Sequence, residues 1–299
     1  MRYRPFARSG GAVSALSLAL TDRPMRPEER VKLIYAALEA GINTFELQSR
    51  DPEVGAALGE ALSAIERRMV FVALRIGWSR DRNGKRVRDL TTDGLTGAIE
   101  AALASTRLDR LDVAIFDTLE SEVLPPHVVP SLQSAQQAGR VRMLGIAGAE
   151  GADPHIGSGV FEVLETPFNV HSGWIERNRL KRAVEADMAV VGTDFHPFNR
   201  RAADKPAAGP LGLRRLLGGD KSTFDGPYTF LERTPGWTAE EACLAFALTE
   251  PSLTTVQTRS FEATALQKLA AAVERDLPNG LSAQIEMARF STHEKSGAA

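Results

Sequence analysis

Three charged residues stand at or near the ends of apolar runs, where charge is costly to bury: Glu46 in residues 42–47, Arg75 in 69–75 and Asp117 in 111–117. A buried charge persists when it is paired, and an acid, base, acid set supplies its own pairing. The guanidinium of Arg75 stays charged at any working pH, so it recognises or neutralises anions and cannot share a proton. An arginine beside Glu46 or Asp117 favours their carboxylate forms and disfavours a general acid. The cluster therefore reads as an ion-pair array, or as the site of a lyase or isomerase acting on an anion. Further polar positions end other apolar runs: Ala147 followed by Gly148, Glu165, Thr193 followed by Asp194, and Gln257. The other chemistry-bearing residues are few. The chain has three tyrosines, Tyr3, Tyr35 and Tyr228. Its five histidines, His127, His155, His171, His196 and His293, show no ligand spacing with one another or with Cys243, so no metal site is expected. Cys243 lies in an alanine-rich amphipathic stretch and reads as core.

The elements that must position these residues are short apolar runs alternating with stretches of helical periodicity. About eight runs qualify, at 15–20, 42–47, 69–75, 111–117, 141–147, 160–165, 188–192 and 253–257, with helical segments at 27–40, 52–67, 92–106, 128–138, 175–186, 238–249 and 260–273. Gly41 and Gly139 follow helices as C-terminal caps, and Thr92 and Thr238 stand as N-caps. This alternation, without a G-x-G-x-x-G motif after the first strand, predicts an α/β fold of the (β/α)₈ TIM-barrel type, in which chemistry gathers where the strands end. Residues around Gly10-Gly11 predict a β-hairpin that precedes the first barrel strand and closes the barrel bottom. Residues 1–276 form one barrel domain in this reading, and 277–299 a C-terminal helix and flexible tail. Residues 199–237 are a long irregular region, a lid or a solvated insertion. Trp78 and the polar run from Arg80 to Arg88 read as a solvated loop after the third strand or, near the barrel mouth, as a gate or a partner contact.

Composition narrows the classes. With 36 Lys and Arg against 38 Asp and Glu and a net charge of −2, no basic face for nucleic acid or membrane is expected. A single cysteine excludes an internal disulfide, and no apolar leader segment opens the chain, so a reducing cytoplasm is expected.

The opening from Met1 to Gly10, the stretch Ala37-Leu-Glu-Ala-Gly-Ile-Asn43, Ala138 to Ile146 and Glu165-Thr-Pro-Phe-Asn169 resemble, in order, landmarks of the aldo-keto reductases. The resemblance implies a barrel that binds NAD(H) or NADP(H) across its mouth without a Rossmann motif. It also implies a tetrad of Asp, Tyr, Lys and His, in which the tyrosine protonates the carbonyl oxygen as hydride arrives. Here the aspartate position holds Glu46, the tyrosine position falls near Arg50 or Asp51, the lysine position holds Arg75 and the histidine position holds Asp117. All four depart, so no catalytic residue is expected from the tetrad. The resemblance assigns cofactor contacts to Glu46, Arg75, Ala147, Gly148, Glu165, Thr193, Gln257, Arg259 and Ser260, with Phe195 as the ring that stacks on nicotinamide or as a packing residue. Ser260 is placed at the opening of a helix whose N–H groups suit a pyrophosphate.

Within the family the chain resembles oxidoreductase-like regulators of the bacterial cell cycle. That resemblance implies a catalytically degenerate, NAD(H)-binding protein with protein partners, the tubulin-like division protein FtsZ and a cell-fate histidine kinase. It also implies recognition of the tail Gly297, Ala298 and Ala299 by an AAA+ protease, for which an unstructured end is a physically sensible handle. The competing expectation is an active NAD(P)H-dependent oxidoreductase with a non-standard Glu/Arg/Asp site.

Overall fold

A computed structural model describes residues 1–6, 9–119, 123–199 and 227–296. Most of the long irregular region, and the tail residues Gly297, Ala298 and Ala299, lie outside the described residues.

The chain opens with an antiparallel hairpin, β1 (Tyr3–Pro5) and β2 (Ala12–Ser14). Strands and helices then alternate: β3 (Leu16–Leu20), α1 (Pro27–Glu39), β4 (Thr44–Leu47), α2 (Pro52–Leu62) and β5 (Phe71–Ile76). A second small hairpin follows, β6 (Trp78–Arg80) and β7 (Arg86–Arg88), before α3 (Thr92–Thr106), β8 (Leu111–Asp117), α4 (Val128–Gln137) and β9 (Val141–Ala147). The remainder comprises β10 (Val163–Pro167), α5 (Trp174–Glu185), β11 (Ala189–Thr193), α6 (Ala239–Leu248), β12 (Thr255–Thr258), α7 (Ala263–Ala272) and α8 (Leu281–Ser296). Strands β3, β4, β5, β8, β9, β10, β11 and β12 pair in parallel in that order and close into a barrel, the expected (β/α)₈ architecture.

Local signals account for the helix ends. Pro27 opens α1 with Glu28 and Glu29 in its first turn, where acid meets the positive end of the helix. Thr238 and Glu241 form a capping box on α6. The N-cap of α3 is Thr91, whose side chain accepts from the Gly94 N–H, one residue before the expected Thr92.

Strand periodicity sorts the core into two layers. One set of alternate residues, among them Val113, Ile115, Met143, Ala147, Val163, Ala189 and Val191, fills the barrel interior together with Phe6 and Val13 from the hairpin region. The Phe6 ring sits 5.3 Å from that of Phe71 and plugs the barrel bottom. The other set packs outward against the helices with residues such as Leu18, Phe45, Leu74 and Phe116. Cys243 on α6 is fully buried in that outer layer. Thr44 and Thr255 are the polar residues near the bottom, and the inward charged residues, Glu46, Arg75, Asp117 and Glu165, stand toward the opposite, C-terminal end of the strands. No helix among the described residues is long and apolar enough to cross a membrane.

Candidate functional site at the barrel mouth

Register decides which side chains meet at the mouth. Glu46 is paired between Ala19 and Ala73, and Ala147 lies between Asp117 and Glu165. These alanines keep the top layer of the barrel thin, and the long side chain of Arg75 crosses it. Arg75 Nε donates to Glu46 Oε1 at 2.9 Å, Nη1 approaches Asp117 Oδ1 at 3.4 Å, and Nη2 forms an ion pair with Glu165 Oε1. Glu46 and Glu165 are 3% and 2% exposed. Burial opposes the charge on Arg75, but the Glu46 and Asp117 carboxylates outweigh it and hold the guanidinium above its ordinary pKa. The expected cluster therefore forms, with Glu165 as a third carboxylate.

The polar array extends to both sides. Gln48, whose N–H pairs with the Leu20 carbonyl and so prolongs β4, donates through Nε2 to Glu46 Oε1 at 3.0 Å and to Gln257 Oε1 at 2.9 Å. Gln257 Nε2 also donates to Glu46 Oε2. Arg259 continues the chain, with Nε on Gln48 Oε1 at 3.0 Å and Nη1 on Asp194 Oδ1 at 3.2 Å. On the other side Trp78 Nε1 donates to Asp117 Oδ2 at 2.7 Å, and Arg86 Nη2 lies 3.4 Å from the same oxygen. Arg88 donates to the Asp117 and Gly77 carbonyls. The guanidiniums of Arg86 and Arg88 lie 4.2 and 4.9 Å from the Trp78 ring centroid, within cation–π range.

The run from Arg80 to Arg88 is solvated as expected, with residues 80–86 exposed, but it is the β6–β7 hairpin and not a loop, and Trp78 and Arg86 close one wall of the mouth. Beside that wall lies a cleft of about 670 Å³ that includes Gln48, Arg50, Asp51, Arg75, Trp78 and Arg86 in its lining.

No tyrosine reaches this cleft. Tyr3 donates to the Gly41 carbonyl at 2.8 Å on the hairpin side, and Tyr35 projects from α1. Tyr228 is buried, donates to the Val170 carbonyl at 3.3 Å, and has its pKa pushed up by that burial. At the positions where the resemblance places the tyrosine, Asp51 Oδ1 accepts from the Glu53 N–H at 3.0 Å and caps α2, while Arg50 reaches Asp89 at 3.7 Å.

The positions expected to touch a cofactor divide. Glu46, Arg75, Glu165, Gln257 and Arg259 share the array above, and Thr193 ends β11 buried at the barrel end. Gly148 has φ +149, donates to the Glu165 carbonyl at 2.9 Å, and approaches Thr118 so closely that a Cβ there would lie 2.3 Å from Thr118 Oγ1. Phe195 does not face the mouth: it is 4% exposed and packs in the outer, helix-facing core, because it stands past the end of β11 where strand alternation no longer governs direction. Ser260 does not open the helix either. Helix α7 starts at Ala263 with Glu262 as its N-cap, and Ser260 Oγ donates to the Glu262 carbonyl at 3.2 Å. Among the described residues no cluster of three or more His, Cys, Asp or Glu is arranged to hold a metal ion.

Sequence reasoning missed Gln48, and it placed Trp78 and the Arg80 to Arg88 run near the mouth without their contacts to Asp117. Gln48 was accessible as the residue two past Glu46, on the same face of an extended strand. The hairpin was accessible from Asn83-Gly84, a turn dipeptide with Gly84 at φ +75.

Residues 15–154 match the model of the Aldo/keto reductase family. Over 162 residues the chain is 29% identical to the 6-dehydroglucose reductase of Novosphingobium aromaticivorans, a match covering 48% of this chain and 51% of that relative, about half its length. A solved aldo-keto reductase from Bacillus halodurans, in its holo form, superposes with a TM-score of 0.75 at 17% identity, over 96% of each chain. The glycerol dehydrogenase of Gluconobacter oxydans superposes with a TM-score of 0.73 at 16% identity, over 96% of this chain and 94% of that one. The chain thus has the aldo-keto reductase fold, and the part of it that matches the family in sequence contains Glu46, Arg75 and Asp117.

Proposed function

We propose that the chain is an aldo-keto reductase relative that binds a nicotinamide nucleotide, NAD(H) or NADP(H), at the barrel mouth without reducing carbonyls, and that it acts through contacts with other proteins. One observation carries this reading: the mouth holds no tyrosine, and its central cation, Arg75, is locked among three carboxylates. A bound nicotinamide supplies hydride, but carbonyl reduction also needs a proton at the oxygen. Arg75 cannot deliver one. Glu46 and Asp117 use their oxygens as acceptors from Arg75, Gln48, Gln257 and Trp78. The Trp78 N–H is held on Asp117 and is no acid.

The residues present offer the carboxamide end of a nicotinamide an acceptor. Glu165 Oε2 is buried without a hydrogen-bond partner, an acceptor that a carboxamide NH₂ would satisfy. Thr193 offers no aromatic face for the ring. At the far end, Arg259 and the first turn of α7, which no side chain caps, would face the phosphates, opposed by the Glu262 carboxylate.

By resemblance, the partners to test first are FtsZ and a cell-fate histidine kinase, in a cytoplasmic setting. An active NAD(P)H-dependent oxidoreductase with a Glu/Arg/Asp site is the second reading, favoured by the partial match to a 6-dehydroglucose reductase. Thermal unfolding with NADH and NADPH tests nucleotide binding. A bound nucleotide raises the melting temperature by mass action, and no shift at millimolar concentrations of either would remove the cofactor from the proposal.

A further inference from the structure

We infer that the cleft at the barrel mouth is a receptor for a small organic anion, one that presents a carboxylate or a phosphate ester to the guanidinium groups of Arg50 and Arg86. The inference rests on reading the mouth as a binding site without a proton donor, and it does not depend on nucleotide binding.

The cleft, about 670 Å³, is of the size that takes a small metabolite, and its lining includes Arg50, Arg75, Arg80 and Arg86 against Asp22 and Asp51. The two aspartates are engaged, Asp51 by capping α2 and Asp22 by pairing with Arg80. Arg75 is committed on three sides. Arg50 and Arg86 are not. Among the described residues Arg50 makes one ion pair, at 3.7 Å to Asp89, and no hydrogen bond. Arg86 reaches Asp117 at 3.4 Å and stacks on Trp78, with its side chain 58% exposed. Charge-assisted hydrogen bonds run at about 2.7–2.9 Å, and a guanidinium carries five N–H donors, so both residues keep most of their capacity.

The local field points the same way. Burial lowers the pKa of Arg86, and the neighbouring charges of Arg75, Arg88 and Arg80 add to that effect against the pull of Asp117. An arriving anion relieves this repulsion. A neutral carbonyl compound would leave both guanidiniums unanswered, whereas a planar or tetrahedral oxyanion accepts two parallel N–H bonds from either.

Isothermal titration of the full chain at constant ionic strength, with gluconate, glucose 6-phosphate and neutral glucose as probes, tests the inference. Saturable binding of gluconate or glucose 6-phosphate, with none of glucose, is expected, and the better anion identifies the recognised group. Arg50→Gln and Arg86→Gln should each weaken that binding about tenfold or more, and Arg86→Lys should fall between, since it keeps charge but loses the fork. If Arg86→Gln disturbs the fold through Trp78, Arg50→Gln carries the comparison alone. No saturable binding of either anion, or equal affinity in the unsubstituted chain and folded Arg50→Gln, overturns the inference. A parallel NADH titration separates the two claims: NADH binding without anion binding refutes this one alone, and the reverse refutes the nucleotide.

Discussion

Replacing Arg75 with Met removes the single cation that serves three carboxylates and leaves a side chain of similar length in its place. Asp117 keeps Trp78 and Arg86, and Glu46 keeps Gln48 and Gln257. Glu165, 2% exposed, loses Arg75, the one side chain that pairs with it among the described residues. Breaking a buried ion pair from one side costs about 3–5 kcal/mol, since the surviving charge has neither water nor partner. That deficit is expected at pH 7 in equilibrium urea unfolding, as a lower midpoint with an unchanged slope. Adding Glu165→Gln removes the stranded charge and should restore more than half of the loss. A deficit under about 1 kcal/mol, the size of an exposed pair, or no recovery with Glu165→Gln, would refute the picture of a buried, mutually dependent array.

Other parts of the site give separate tests. Trp78→Phe deletes a charge-assisted hydrogen bond worth about 1.5–3 kcal/mol, and limited proteolysis should then cut faster within the β6–β7 hairpin than in the unsubstituted chain. Gly148→Ala forces a Cβ to 2.3 Å from Thr118 Oγ1 at φ +149, and should lower stability by more than ~1 kcal/mol in the same urea assay. Cys243 is buried and its thiol pKa is raised by that burial, so a disulfide reagent should label it only as fast as the protein opens, and rapid labelling of the native chain would contradict its place in the core.

The barrel was legible because strand and helix periods differ and because each βα unit is punctuated locally, by Gly41, Gly139 and Thr238. The acid, base, acid cluster was legible because charge at the end of an apolar strand has few places to go. Glu165 became part of it only through register, which sets Ala147 between Asp117 and Glu165 and is not written in either strand alone. Phe195 stayed open between stacking and packing, and Ser260 was set too close to its helix, for a related reason: both lie just past a strand end, where direction depends on the turn that follows. The Trp78 hairpin was hidden by its polar composition. Its arginines suggested solvent, yet in the folded chain Arg86 and Arg88 pack on an indole ring and hold Asp117.

The central claim is that a mouth without a tyrosine, organised around Arg75, does not reduce carbonyls. Its most direct test is the rate of loss of reduced nicotinamide when the purified chain is mixed with NADH or NADPH and a panel of aldehydes, ketones and sugars. A rate equal to that in buffer alone is expected for every pair. Sustained turnover that disappears in Asp117→Asn or Glu46→Gln would contradict the account, by showing that the Glu/Arg/Asp array itself delivers the proton.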